Sequence, residues 1–283
     1  MAAAVTDESE QAWNKFLAKI DKARKKLDCA DPTGEEAWYR GHTRSDFQLL
    51  PSLFRGYKNP KKGKTWNRIW ALESDLFWEF SARARELHAT LRSDWDYLFA
   101  MQHYGTPTRL LDWTEVLGAA VYFAALKVDE TQTVDDKSKP IPPPCVWVLN
   151  PYGLNRASTG NKNADLFTPE ILGWDGKEYY TYGELLLEPN IDFDWPYAIY
   201  PRQMTPRLHA QRAWFTIHGD KFIAMDEFDD KKDYLAKVEL PFEALPSARR
   251  FLDHAGIDHY LLFADLENLS RHLREKNGLT AHR

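Results

Sequence analysis

Apolar residues recur at Trp13, Phe16, Leu17, Ile20 and Leu27 among lysines and glutamates. This 3.6-residue period predicts an amphipathic packing helix within residues 1–30, with a basic end from Asp21 to Lys26. A turn signal, Asp31-Pro32-Thr33-Gly34, then precedes a short strand at Ala37–Arg40 that ends at Gly41. A second helical period runs from Trp66 to about Leu91 through Ile69, Leu72, Leu76, Phe80 and Leu87. A third opens with Asp94 as N-cap, carries Trp95, Leu98 and Met101 inward, and stops near Gly105 and Pro107. From Glu115 to Lys127 nearly every helical face is apolar, so this helix is expected to be buried.

The pattern then changes character. Residues 128–144 combine acidic side chains with Pro140, Pro142, Pro143 and Pro144 and read as a loop excursion. Short β-favouring runs follow at Cys145–Leu149, Tyr197–Tyr200, Ala213–Ile217 and Tyr234–Leu240, and helical patterns return at Glu243–His254 and Leu266–Leu273. Helices first and strands later give an α+β class, with a single domain over residues 31–275 and a flexible tail at 276–283. No internal repeat of solenoid length is present.

Composition narrows the function classes. The chain has 283 residues, 43% hydrophobic and 28% charged, ordinary values for a globular protein that needs no covalent staples. The two cysteines cannot build a disulfide framework or a four-cysteine zinc site, and no leader-like apolar run opens the chain. A cytoplasmic location is the expectation, and charges interrupt every stretch that approaches a membrane span. The net charge of −5 argues against affinity built on neutralising many phosphates. Aromatic residues, 11 Trp, 13 Tyr and 15 Phe, are abundant enough to wall a cleft for a flat ligand as well as to fill a core.

Several familiar motifs fail on spacing. Gly56 to Thr65 ends in Gly63-Lys64-Thr65, but Pro60 and the wrong glycine interval prevent a phosphate-binding loop, leaving a lysine-rich surface loop. His254 and His259 have no partner pattern for zinc, no metal is expected, and no nucleophile elbow is present. Two segments stand out instead. Trp38-Tyr39-Arg40-Gly41-His42 places a guanidinium at a strand end beside a glycine that permits close backbone approach to a ligand. Met101 to Thr114 packs Gln102, His103, Tyr104, Thr108, Arg109, Asp112, Trp113 and Thr114 into what reads as a loop between helices. A purely architectural alternative pairs Arg109 with Asp112 and uses Thr114 to cap the next helix. Trp38, Tyr39, Tyr104, Trp113 and Trp214 flank these polar residues and are candidate cleft walls.

Tyr39-Arg40-Gly41-His42, Asp46 to Arg55, Gln102-His103-Tyr104-Gly105 with Pro107 to Thr114, and Ala120-Val121-Tyr122-Phe123-Ala124 together resemble the FRG domain family. Similarity at His209 to Phe215 and at Leu262 to Leu266 extends the resemblance across Glu36 to Leu273, with Ala213 where the family usually carries glycine. More remotely, the chain resembles ADP-ribosyltransferases of the Arg-Ser-Glu type, with Tyr39-Arg40-Gly41, Trp113-Thr114 and Gln211 at the three anchor positions. That resemblance implies a split, strongly bent mixed sheet with an N-terminal helical layer, and NAD as substrate. It implies a nucleotide held by Tyr39, Arg40, Gly41, His42, Tyr104, Arg109, Trp113 and Thr114, with Gln211, Asp112 and His103 at the chemistry. ADP-ribose would pass to water or to a macromolecular acceptor, protein or nucleic acid, as in a toxin or phage-defence effector. Gln211 is not a carboxylate, so either the acceptor supplies its own nucleophile, or Asp112 or Glu184 serves, or the fold binds a nucleotide without turnover. Nucleic-acid processing on a related fold is the third alternative.

Overall fold

The computed structural model describes residues 5–29, 36–55, 64–87, 91–126, 128–129, 139–162, 164, 181–187, 195–201, 212–228, 230–263 and 266–279. Helices are α1 (Asp7–Lys26), α2 (Lys64–Leu87), α3 (Asp94–His103), α4 (Leu117–Ala125), α5 (Pro151–Thr159), α6 (Tyr182–Leu187), α7 (Leu245–His254), α8 (His259–Leu262) and α9 (Leu266–Lys276). Strands are β1 (Trp38–His42), β2 (Leu110–Thr114), β3 (Cys145–Leu149), β4 (Tyr197–Ile199), β5 (Ala213–Ile217) and β6 (Leu235–Glu239). They form one curled six-stranded sheet in the order β4-β5-β2-β1-β3-β6.

The α+β class expected from the sequence is the class observed, with one correction. Every strand pairing among the described residues is antiparallel, so the sheet they form is not mixed. Its strands lie in one hydrogen-bonded order rather than in two separate sheets. No helix among the described residues is long and apolar enough to cross a membrane.

Strand alternation sorts the core. Tyr39, Val146, Val148 and Val238 project to one face and meet Trp13, Phe16 and Ile20 of α1, Ala120 and Ala124 of α4, and Ala248 and Leu252 of α7. Leu110, Ala213, Phe215 and Ile217 project to the same face farther along the sheet and meet Phe77 of α2, Leu98 of α3 and Tyr182 of α6. The opposite face carries Trp38, Leu111, Trp113, Trp147 and Leu149, packed with Leu49, Leu154 of α5 and Met225. Two helical clusters therefore share one face of the sheet, and the space between them falls over β1 and β2.

Local chemistry sets the element ends. Ser93, one residue before the expected Asp94, caps α3: its hydroxyl accepts from Asp96 N at 3.2 Å while Asp96 accepts from Ser93 N at 2.9 Å. Asp94 instead accepts from Gly183 N at 2.9 Å, joining α3 to α6. Gly105, at φ 81°, follows the C-cap Tyr104 in a conformation that glycine adopts without strain. The buried α4 is shorter than expected, because Thr114 Oγ1 accepts from Val116 N at 3.0 Å and delays its start. Residues 110–114, expected as loop, are the central strand β2, and α5, which the sequence pattern did not reveal, starts at its cap Asn150. Lys276, placed in the expected tail, still belongs to α9. Most of the expected lysine-rich loop, residues 56–63, lies outside the described residues.

Candidate functional site

β1 pairs with β3 along all five residues but with β2 at one position, Tyr39 opposite Thr114. Beyond that pair the two strands part, and the fork opens onto the face between the helical clusters. A cavity of about 350 Å³ occupies it, at the lower end of the range for small-molecule sites. Gly41, Asp112 and Thr114 form its floor, Gln102 and His103 one side, Ala120 and Phe123 another, and Phe47, Phe215 and Phe263 further wall.

Arg40 sits at the fork. By alternation it belongs to the opposite face, yet its guanidinium reaches across the parted strands, where Nη1 donates to the Asp112 carbonyl at 2.6 Å. Its Nε donates to His42 Nε2 at 3.2 Å, and Nη2 has no hydrogen-bond partner among the described residues. The Arg40 side chain is 18% exposed, so the remaining N–H edge is accessible. Burial lowers its affinity for the proton and the nearby Asp112 charge raises it again.

His42 is a neutral acceptor. Burial first, then the Arg40 charge, pushes its imidazole down to about 3. Because Nε2 accepts from Arg40, the proton belongs on Nδ1, which lies 3.3 Å from the Phe47 carbonyl. Trp147 Nε1 lies 3.3 Å from the same Nδ1, but the Arg40 Nε–H, which needs an acceptor, decides the tautomer. The ring is thus a fixed brace for the guanidinium and not a proton carrier at neutral pH.

Asp112 is the exposed residue of an otherwise buried strand, its side chain 50% accessible. Gln102 Nε2 donates to its Oδ2 at 2.7 Å, while Oδ1 has no partner among the described residues. One carboxylate oxygen is held and one is open. Immediately after the floor residue Thr114, burial and then the Glu36 carboxyl push Glu115 up to about 7. The Glu115 N–H donates to Arg212 O at 3.3 Å, so this carboxyl pair borders the segment that carries Gln211. Gln211 itself lies outside the described residues.

The structure gathers Tyr39, Arg40, Gly41, His42, His103, Asp112, Trp113 and Thr114 around the cavity. It does not bring Tyr104 or Arg109 there. Tyr104 is 66% exposed and faces a separate apolar groove between α2 and the end of α3. Arg109 is buried beneath the fork, where its Nε donates to Glu73 Oε1 at 2.6 Å, its Nη2 to the second Glu73 oxygen, and its Nη1 to Asp220 at 3.1 Å. Tyr182 donates to the same Glu73. Burial opposes the Arg109 charge, but Glu73 outweighs it and holds the guanidinium well above its ordinary range. Neither half of the architectural pairing between Arg109 and Asp112 forms; each has a different partner. The hydroxyl of Thr114 accepts from Val116 N, but Val116 is itself the N-cap of α4 and no side chain caps that helix, so the capping half of that alternative does not form either.

Gly41 lines the cavity and also serves a helix: a Cβ there would lie 2.0 Å from Ala120 O and 2.6 Å from Ala124 N, so its bare backbone is what lets α4 lie on β1. One expectation needs correction. The rings of Trp38 and Trp113 are core, Trp38 stacked on Trp214 and Trp113 donating to Thr216 Oγ1 at 3.0 Å. The aromatic wall comes from the expected Tyr39 together with Phe47, Phe123, Phe215 and Phe263, with Phe123 and Phe263 edge to face at 5.9 Å. Glu184 accepts from Thr181 N at 2.6 Å at the start of α6 and is a helix-capping carboxylate. No group of three or more potential metal ligands clusters among the described residues.

Residues 35–133 match the family model of the FRG domain, and this stretch contains β1, α2, α3, β2 and α4. It supplies the whole cavity lining except Phe215 and Phe263. Neither a curated protein nor a solved structure matches the chain. Over residues 35–133, with Arg40, His42 and Asp112 gathered at the fork between two of its strands, the chain is similar to the FRG domain.

Proposed function

We propose that the fork binds NAD and cleaves the bond between its nicotinamide ring nitrogen and ribose, transferring ADP-ribose to water or to a macromolecular acceptor. The observation that carries this reading is an Arg40–Asp112 ion pair, 3.6 Å between Nη1 and Oδ2, that keeps one guanidinium edge and one carboxylate oxygen open beside an apolar-walled cavity. Arg40, braced by His42 and the Asp112 carbonyl, is suited to a phosphate oxygen through its remaining N–H groups. Phe123, Phe215 and Phe263 suit a flat nicotinamide. The volume accommodates the nicotinamide ribose half of the dinucleotide, with the remainder toward solvent.

In the reaction the glycosidic bond breaks with its electron pair passing to the nicotinamide nitrogen, which leaves neutral. The ribose carbon becomes oxocarbenium-like, and the negative charge of the Asp112 carboxylate stabilises it. An acceptor hydroxyl or water then bonds to the same carbon and surrenders its proton to Asp112. Asp112 fits this work better than Glu184, whose carboxylate is committed to its own helix start. The ADP-ribosyltransferase resemblance of the Tyr39-Arg40-Gly41 anchor supports the same substrate.

Purified protein incubated with NAD, with nicotinamide release followed by chromatography, tests the proposal. Release that Asp112→Asn lowers by about 10²-fold or more is expected. Saturable NAD binding without release would convert the site to a nucleotide-binding module, and absence of both would end the reading.

A further inference from the structure

Asp112 can act at a developing cation only if its open oxygen keeps one direction, and a half-exposed aspartate on a strand does not do so unaided. Its backbone is fixed by β5 on one side and by the Arg40 bond to its carbonyl. Its carboxylate oxygen Oδ2 lies 3.6 Å from Arg40 Nη1, and a second group holds the same oxygen. The Gln102 amide donates to Oδ2 at 2.7 Å and, through its own oxygen, accepts from Thr108 Oγ1 at 2.5 Å. Thr108 is 1% exposed, its hydroxyl oxygen accepts from Leu110 N at 3.1 Å, and its backbone N–H donates to Ser52 Oγ at 3.2 Å. The hydroxyl proton is therefore directed at Gln102, which leaves the Gln102 NH2 as the end that meets Asp112.

We infer that Gln102 is a positioning residue, whose amide, oriented by the buried Thr108 hydroxyl, aims the free Asp112 oxygen into the cavity. The inference rests on the reading of Asp112 as the working carboxylate, but the relay itself exists in the protein without ligand. It also explains a choice of side chain. A glutamate in place of Gln102 has the same length and shape but presents an acceptor to an acceptor, and two carboxylates at that spacing cannot both ionise.

The charged and titratable neighbours of this pair are Arg40 and His42 from β1 and His103 from α3; α4, Phe215 and Phe263 present only apolar groups to the cavity. His42, pushed down to about 3, stays neutral, and Arg40 keeps its charge, so neither creates a new titration near neutrality. In Gln102→Glu a single proton shared between the introduced carboxyl and that of Asp112 restores the donor, and its loss on raising the pH removes it.

The test combines structure with kinetics. In crystal structures of the full chain, Gln102→Leu is expected to release the Asp112 carboxylate from its wild-type rotamer, whereas Gln102→Glu at low pH retains it. In NAD cleavage, Gln102→Leu lowers kcat by about 10²-fold, as misplacing a reacting group does, with KM changed less than about threefold. Gln102→Glu falls at least about tenfold between pH 6 and pH 8.5 relative to wild type, a comparison in which any His103 contribution cancels. An unmoved Asp112 rotamer in Gln102→Leu, or a wild-type pH profile in Gln102→Glu, overturns the inference. If wild-type protein neither binds nor cleaves NAD, the proposed reaction fails, while the crystallographic arm still decides the relay.

Discussion

Acidification from about pH 7 to about pH 5 is expected to weaken the fold through two named rings. His42 and His218 are each pushed down to about 3, first by burial and then by neighbouring arginines, Arg40 for His42 and Arg109 with Arg40 for His218. An unfolded histidine takes its proton near 6.5, so between these values the unfolded chain binds two protons that the folded chain refuses. Their contribution is intact above about pH 6.5 and is lost as pH falls toward 3. At pH 5, about 1.5 units below the unfolded value, the loss is about 2 kcal/mol per ring and about 4 kcal/mol together. Glu115 acts in the opposite sense. Its carboxyl is raised to about 7 by burial and Glu36, so its contribution is present at low pH and fades as pH rises through 7. A Glu115→Gln background removes that counter-slope. Urea denaturation at pH 7, 6 and 5 in this background, repeated with His42→Gln, His218→Leu and both, reads the two rings separately. Each single substitution is expected to remove about half of the acid sensitivity. His218→Leu also removes a ring whose nitrogens have no hydrogen-bond partner among the described residues, so stability at pH 7 should hold or rise. Single variants that keep the parental slope would show that these rings protonate freely in the folded chain, and the account of His42 as a neutral brace would fall with it.

The two arginines of the motif regions should separate in kind. Arg109→Met strands Glu73 and is expected to cost about 3–5 kcal/mol, seen as a large fall in thermal midpoint, whereas Arg40→Ala should leave that midpoint within a few degrees and weaken nucleotide binding. Gly41→Ala forces α4 off β1 and is expected to cost at least about 3 kcal/mol, measured by denaturant midpoint; a midpoint equal to wild type would refute the close-approach account. Gly105→Ala meets no neighbouring atom but places a side chain at φ 81°, so a loss of only about 1 kcal/mol should follow in the same assay.

Much of this fold was legible because periodicity reports burial. The α1 stripe of Trp13, Phe16 and Ile20 and the all-round apolar α4 both lie where their patterns require. β2 was not legible: its five residues follow a helix and a proline turn, and Asp112 and Arg109 gave the segment the polarity of a loop. What places it in the sheet is nonlocal, a full ladder with β5 more than a hundred residues later. The site shows the same division. Arg40, His42 and Asp112, which line the cavity, stand out in the sequence because their chemistry is unusual for their spacing. Phe123, Phe215 and Phe263 do not, since a phenylalanine lining a cavity and one filling a core look identical in sequence. Arg109 was misplaced for the converse reason: nothing near it in the chain announces Glu73, its partner thirty-six residues earlier.

The central claim is that the open edge of Arg40 and the open oxygen of Asp112 bracket NAD for cleavage at the ribose. Nicotinamide release by the purified protein, compared with Arg40→Ala and Asp112→Asn proteins of unchanged thermal midpoint, tests it most directly. The account predicts turnover in the first and at least about 10²-fold slower release in both variants. Turnover in wild type that neither substitution alters would contradict it, as would NAD left intact by the wild-type protein in the presence of water, protein and nucleic-acid acceptors.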